Sequence, residues 1–167
     1  MSDTKKCLKE AFAGESQANR KYLAYAEKAD REGHHQAARL FRAAAAAETV
    51  HAHNHLRAMG GIASTRENLE DAIAGETHEF KSMYPEMIQT AESEDDGRAL
   101  RSFRYANEVE KIHADLYADM LQSLEMKDRE EDYPYYVCPV CGHTVAREAP
   151  EVCPICGTKG DRYSRID

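Results

Sequence analysis

Glu48-Thr-Val-His51 and Glu110-Lys-Ile-His113 are two copies of one pattern, and each follows a lone glutamate, Glu15 or Glu76, by about 33 residues. Residues three apart share one face of a helix. Four helices presenting Glu, Glu-x-x-His, Glu and Glu-x-x-His inward supply the ligand set of a dinuclear carboxylate site in a four-helix bundle. The order of these residues therefore predicts an all-α four-helix metal-binding bundle over the first 126 residues.

Apolar periodicity places those acids inside. The expected inward row of the first helix is Leu8, Phe12, Glu15, Ala18, Tyr22, Ala26 and Ala29, and that of the second is Ala37, Leu40, Ala44, Glu48, His51, His55 and Met59. The third row is Leu69, Ile73, Glu76, Phe80, Met83 and Met87, with Glu79 beside it; the fourth is Phe103, Ala106, Glu110, His113, Tyr117, Leu121 and Leu124. A helix glutamate ordinarily faces water. Burying several ionised carboxylates costs on the order of several kcal/mol each unless a strong countercharge meets them. Carboxylate oxygen mixed with imidazole nitrogen suits two iron ions, with manganese and zinc as alternatives.

Gly33, the pair Gly60 and Gly61, and Asp95-Asp96-Gly97 punctuate the four helices. Thr65 is the expected N-cap of the third, and Pro85 inside it removes a backbone bond, so a bend is expected just before it. Residues 1–127 read as the di-metal domain, 128–135 as a linker, and 136–167 as a small module too short to fold without a metal. In that module Cys138-Pro-Val-Cys141-Gly and Cys153-Pro-Ile-Cys156-Gly, eleven residues apart, form two matching knuckles for one tetrahedral site. The spacing identifies a metal without naming it; taken alone it favours structural zinc over iron. His143 is expected to be exposed and no ligand, and Cys7 to be a small buried hydrophobe.

A chain of 167 residues has room for one core and a small appendage. Its net charge of −8 and the absence of a basic cluster argue against nucleic-acid or anionic-membrane partners. No apolar run approaches a membrane span, and no apolar stretch follows the lysines near the N-terminus, so a cytoplasmic location is expected. Paired cysteines in a reducing compartment read as metal ligands rather than disulfides.

Ala13-Gly-Glu15-Ser, Glu48-x-x-His51, Ala74-Gly-Glu76-x-x-Glu79, Met83-Tyr84-Pro85-Glu86, Glu110-x-x-His113 and the C-terminal cysteine module together resemble the rubrerythrin family over essentially the whole chain. The resemblance implies a ferritin-like bundle with a rubredoxin-like domain. It implies a di-iron centre held by Glu15, Glu48, His51, Glu76, Glu79, Glu110 and His113, and a second iron held by Cys138, Cys141, Cys153 and Cys156. Tyr22 and Tyr84 match tyrosines that the family places beside the di-iron site. The implied activity is reduction of hydrogen peroxide, with one iron moving between His51 and Glu79 as its redox state changes. No Gly-x-Gly-x-x-Gly occurs, so electrons are expected from an external rubredoxin or NAD(P)H-dependent reductase. The competing readings are a ferritin-like iron oxidase or store with a structural zinc ribbon, and a metal-dependent scaffold without catalysis.

Gly60 to Thr65 reaches only roughly 20 Å, whereas the second helix spans ~37 Å. Ferritin-like topology, with the second and third helices parallel, cannot close across that connector. A domain-swapped homodimer, or a higher oligomer built from it, is expected, with Glu15, Glu48 and His51 from one subunit and Glu76, Glu79, Glu110 and His113 from the other; an up-down-up-down monomer is the alternative.

Overall fold

The computed structural model describes residues 3–126 and 132–167, in two compact units, Met1–Ala63 and Ser64–Asp167. Half of the expected linker 128–135, residues 128–131, lies outside the described residues.

The first unit is a helical hairpin of α1 (Asp3–Arg31) and α2 (His35–Ala58). Gly33 turns the chain between them at φ +80°, a left-handed value that suits glycine. The side chains that pack deepest are all alanines, Ala26 and Ala29 on α1 and Ala38, Ala45 and Ala52 on α2. Small residues let the two backbones approach closely, and Phe41 closes the end of this seam. Asn19 fastens the middle, donating through Nδ2 to the Ala45 carbonyl at 2.7 Å and to Thr49 Oγ1 at 2.9 Å.

The α1 row is the expected one, but the α2 row is not. The face of α2 that meets α1 runs through Ala38, Phe41, Ala45 and Ala52, one position on from the expected Ala37, Leu40, Ala44 and His51. Leu40 is 69% exposed. A helix as rich in alanine as Ala43–Ala47 is apolar on more than one side, so periodicity alone could not say which side meets α1.

The second unit begins with α3 (Thr65–His78), a π-helical turn (Glu79–Met83) and α4 (Tyr84–Ser93), which together make one long helix. Its N-cap is Ser64 rather than Thr65: Glu67 accepts from the Ser64 amide while its own amide donates to Ser64 Oγ. That reciprocal capping box needs the acid three residues after the cap, and only Ser64 has one. The irregularity expected before Pro85 is the π turn, in which the Tyr84 amide reaches back to the Glu79 carbonyl. Its extra residue moves the inward row by one, so that Tyr84, Ile88 and Ala91 turn inward while Met87 is 38% exposed.

Asp96 then starts α5 (Gly97–Met126), its Oδ1 accepting the amides of Arg98 and Ala99 at 3.0 Å. Arg104 of α5 pairs with Glu92 of α4 at 2.7 Å. The C-terminal module is a three-stranded antiparallel sheet of β1 (Tyr135–Val137), β2 (Thr144–Ala146) and β3 (Ser164–Ile166), in the order β2-β1-β3. Val109 of α5, almost fully buried, packs beneath Gly142 of this module. Four long helices with a C-terminal metal-binding module are the architecture expected of the sequence. No described helix is long and apolar enough to cross a membrane. Cys7 is exposed, contrary to expectation, because it lies on the outer side of the first turns of α1.

Candidate metal centres

The carboxylate and histidine residues assemble as two half-sets, one in each unit. In the first, Glu15 from α1 meets Glu48 and His51 from α2, with candidate ligand atoms within 4.8 Å of one another. His51 Nδ1 lies 2.8 Å from Glu48 Oε2, the contact that i and i+3 on one helix allow. In the second, Glu76 from α3 meets Glu110 and His113 from α5, again within 4.8 Å. His113 Nδ1 lies 2.7 Å from Glu110 Oε2 and 3.9 Å from Glu76 Oε1.

Crowded carboxylates resist ionisation, and the second half-set shows it. Glu76 is pushed up to about 7 by burial first, then by the charge and hydrogen bond of Glu110 and by Glu79. Glu79 is raised by burial and by Glu110, against the opposing pull of His78 and His113. Such a cluster fits a multivalent cation, which replaces the shared protons. Glu79 opens the π turn next to this group, and Tyr84 closes it. Burial, then Glu110, Glu79 and Glu76, raise the Tyr84 phenol, so it is a hydrogen-bond donor at neutral pH. Tyr22 sits in a ring cluster with Tyr25 and Phe41, at centroid distances of 6.3 and 6.2 Å, two helical turns along α1 from Glu15.

The four cysteines converge. Cys138 Sγ lies 3.6 Å from Cys156 Sγ, and Cys141 Sγ lies 3.5 Å from Cys153 Sγ. The two knuckles are copies: the Gly142 amide donates to the Cys138 carbonyl and the Gly157 amide to the Cys153 carbonyl, both at 3.0 Å. Gly142 and Gly157 hold φ +83° and +76°, which turns their chain back under the sulfurs. Burial alone would raise the Cys153 thiol; the Tyr163 hydroxyl and the amides of Cys156 and Ile155 outweigh it and bring it down to about 6. A pocket of four sulfurs with amide donors suits a tetrathiolate iron.

His143 is buried rather than exposed, its Nδ1 2.9 Å from the Tyr163 hydroxyl. It belongs to the wall of the cysteine site and not to the metal-binding set. Sequence pattern did not single out Tyr163 or Thr144. Thr144 Oγ1 lies 2.9 Å from His113 Nε2, 31 residues away in sequence, and no helical or knuckle spacing signals that contact.

A family model described as rubrerythrin matches residues 6–121, and that of the rubrerythrin rubredoxin-like domain matches residues 136–164. Rubrerythrin-2 of Clostridium acetobutylicum is 39% identical over 170 residues, covering 93% of this chain and 92% of that relative. Nigerythrin of Nitratidesulfovibrio vulgaris is 33% identical over 171 residues, covering 94% of this chain and 83% of its own. Solved structures of nigerythrin, one in a mixed-valence state and one fully reduced and all ferrous, match with a TM-score of 0.59 at 31% and 32% identity. Each match covers 99% of this chain and 88% of the other. The carboxylate-histidine sets and the four-cysteine cluster are the donor groups of iron cofactors of these two kinds.

Proposed function

Since the chain belongs to the rubrerythrin family, we propose that it is a non-haem di-iron peroxidase that reduces hydrogen peroxide to water, with electrons relayed through its four-cysteine iron. The observation that carries this reading is the presence of both donor sets in one chain: two Glu-Glu-His half-sets and one closed tetrathiolate pocket. A ferritin-like store needs the first and not the second.

Peroxide reduction consumes two electrons and two protons and yields two waters. Glu15, Glu48, His51, Glu76, Glu79, Glu110 and His113 would hold the two irons, which when bound would supply the electrons and the Lewis acidity. The chain's own residues supply the rest. The carboxylates fix the metals and exclude anions, and the protonated Tyr84 phenol offers a hydrogen bond where oxygen charge develops. Tyr22, two turns along α1 from Glu15, is the matching tyrosine of the first half-set. Glu79, at the start of the π turn, would be the carboxylate that exchanges with His51 as the redox state changes. Cys138, Cys141, Cys153 and Cys156 would hold a further iron, which when bound would supply electron transfer alone. An external rubredoxin or NAD(P)H-dependent reductase would supply the electrons. A reducing compartment, the cytoplasm, keeps these thiols available for metal.

The working form is a domain-swapped homodimer in which each di-iron site draws its two half-sets from different subunits. Two features support this. Each unit carries one half-set complete in itself, and among the described residues the first unit buries only alanines while exposing Leu40 and Val50, too little apolar burial for a free-standing helical hairpin. The domains of function are then 1–127 and 136–167.

Iron-loaded protein should be red, bleach on reduction and regain colour with stoichiometric peroxide under anaerobic conditions. A colourless protein with zinc on the cysteines that oxidises ferrous iron but spares peroxide would replace this reading with the ferritin-like one.

A further inference from the structure

We infer that Thr144 is a positioning residue for the candidate metal ligand His113, setting which ring nitrogen faces the metal and tying the cysteine module to α5. The inference rests on the di-iron reading of Glu76, Glu110 and His113.

Thr144 Oγ1 stands between two partners, His113 Nε2 at 2.9 Å and the Gly142 carbonyl at 3.0 Å. The carbonyl can only accept, so the single hydroxyl proton of Thr144 is committed to Gly142. What remains toward His113 is a lone pair, and Nε2 must therefore carry the proton. In the neutral ring this leaves Nδ1 as the nitrogen open to a metal; in the metal-free chain a proton bridges Nδ1 and Glu110 at 2.7 Å, and a bound metal would take its place. Nδ1 is the nitrogen that faces the acids, 2.7 Å from Glu110 and 3.9 Å from Glu76. Thr144 thus selects the tautomer that can bind metal, the role that a carboxylate or carbonyl beside a ligating histidine commonly fills.

The strand holds the hydroxyl in place. Thr144 opens β2, paired opposite Val137 of β1, and Val109 packs beneath the neighbouring Gly142. Leu116, Met120, Val137 and Ile166 line the crevice beside the His113–Thr144 bond, so the hydrogen bonds form in apolar surroundings where they are strong. The chain of bonds runs from Cys141, through the Gly142 carbonyl and the Thr144 hydroxyl, to the imidazole. His51, the matching histidine of the first unit, has its side chain 53% exposed against 27% for His113.

The test compares full-length wild type, T144V and T144S, with zinc on the cysteines. Two quantities are measured: the His113 Nε2 proton by nitrogen-resolved NMR, and ferrous-iron affinity at the carboxylate-histidine site. Wild type and T144S should show a slowly exchanging Nε2 proton. T144V, equal in shape, should lose it and bind ferrous iron about tenfold more weakly, with T144S restoring affinity. Retention of both the proton signal and the affinity in T144V would overturn the role. So would absence of a protected Nε2 proton in wild type, which decides the matter even if T144V does not fold. Failure of iron-loaded wild type to reduce peroxide would instead strike the functional reading and leave the NMR result standing.

Discussion

Tyr84 donates its backbone amide to the carbonyl of Glu79, five residues back, and this one widened turn sets the register of everything after it in the third helix. An α-helix in this place would carry Met83 and Met87 inward. The extra residue carries Tyr84, Ile88 and Ala91 inward instead, and brings the phenol within electrostatic reach of Glu110, Glu79 and Glu76.

That register can be tested by packing. Ala91 is 3% exposed, so A91L should lower stability by about 1–3 kcal/mol through overpacking. M87A, on the outer side, should stay within about 0.5 kcal/mol. Urea unfolding of the two variants checks this, and the opposite ranking would mean that the helix keeps its α register in solution.

Glu79→Ala should leave two irons bound, since the half-set of Glu76, Glu110 and His113 remains, but should slow peroxide turnover at least tenfold. Iron content and anaerobic peroxide consumption measure the two effects separately. Full iron with unchanged turnover would remove Glu79 from the mechanism.

Cys153→Ala should abolish turnover driven by a protein donor and the red colour together, because Cys153 is one of four converging thiols. Di-iron reduced chemically should still react with peroxide in a single turnover. Donor-driven activity surviving in this variant would end the relay assignment.

Acidity gives a further check on the metal-free chain. Glu76 rises from 4.5 to about 7 on folding, from burial, then Glu110 and Glu79. A carboxyl raised in the folded state contributes stability that is present below pH 4.5 and lost as pH climbs through about 7. The melting temperature of the metal-free protein should therefore fall between about pH 5 and about pH 8, less so in E76Q. Iron loading should remove the fall, since metal takes the place of the proton.

The swapped assembly has a complementation test. One variant lacks Glu15, Glu48 and His51 as ligands, and another lacks Glu76, Glu110 and His113; each alone should bind no di-iron. Unfolded and refolded together, a swapped heterodimer regains one complete site and one empty one, with iron and activity returning to about a quarter of wild type for random pairing. No recovery, alongside a wild type that loads iron as a monomer, would restore the up-down-up-down bundle.

The sequence by itself determined the candidate donor residues and their grouping. Glu48 and His51, like Glu110 and His113, are neighbours through helical geometry, a local property that spacing reports directly. The cysteine knuckles are equally local, each closed by its own glycine at positive φ. Tertiary structure decided what depends on partners distant in the chain. Periodicity marks apolar stripes, but an alanine-rich helix such as α2 has more than one, and only packing against α1 chose Ala38, Ala45 and Ala52. Pro85 announced an irregularity without its form, because bend and π turn both relieve the same missing donor. The burial of His143 against Tyr163 arises from a contact across the module, and the reach of Thr144 to His113 across 31 residues arises where the module meets α5. Neither leaves a periodic trace, since each is a single contact between segments whose own local rules are already satisfied.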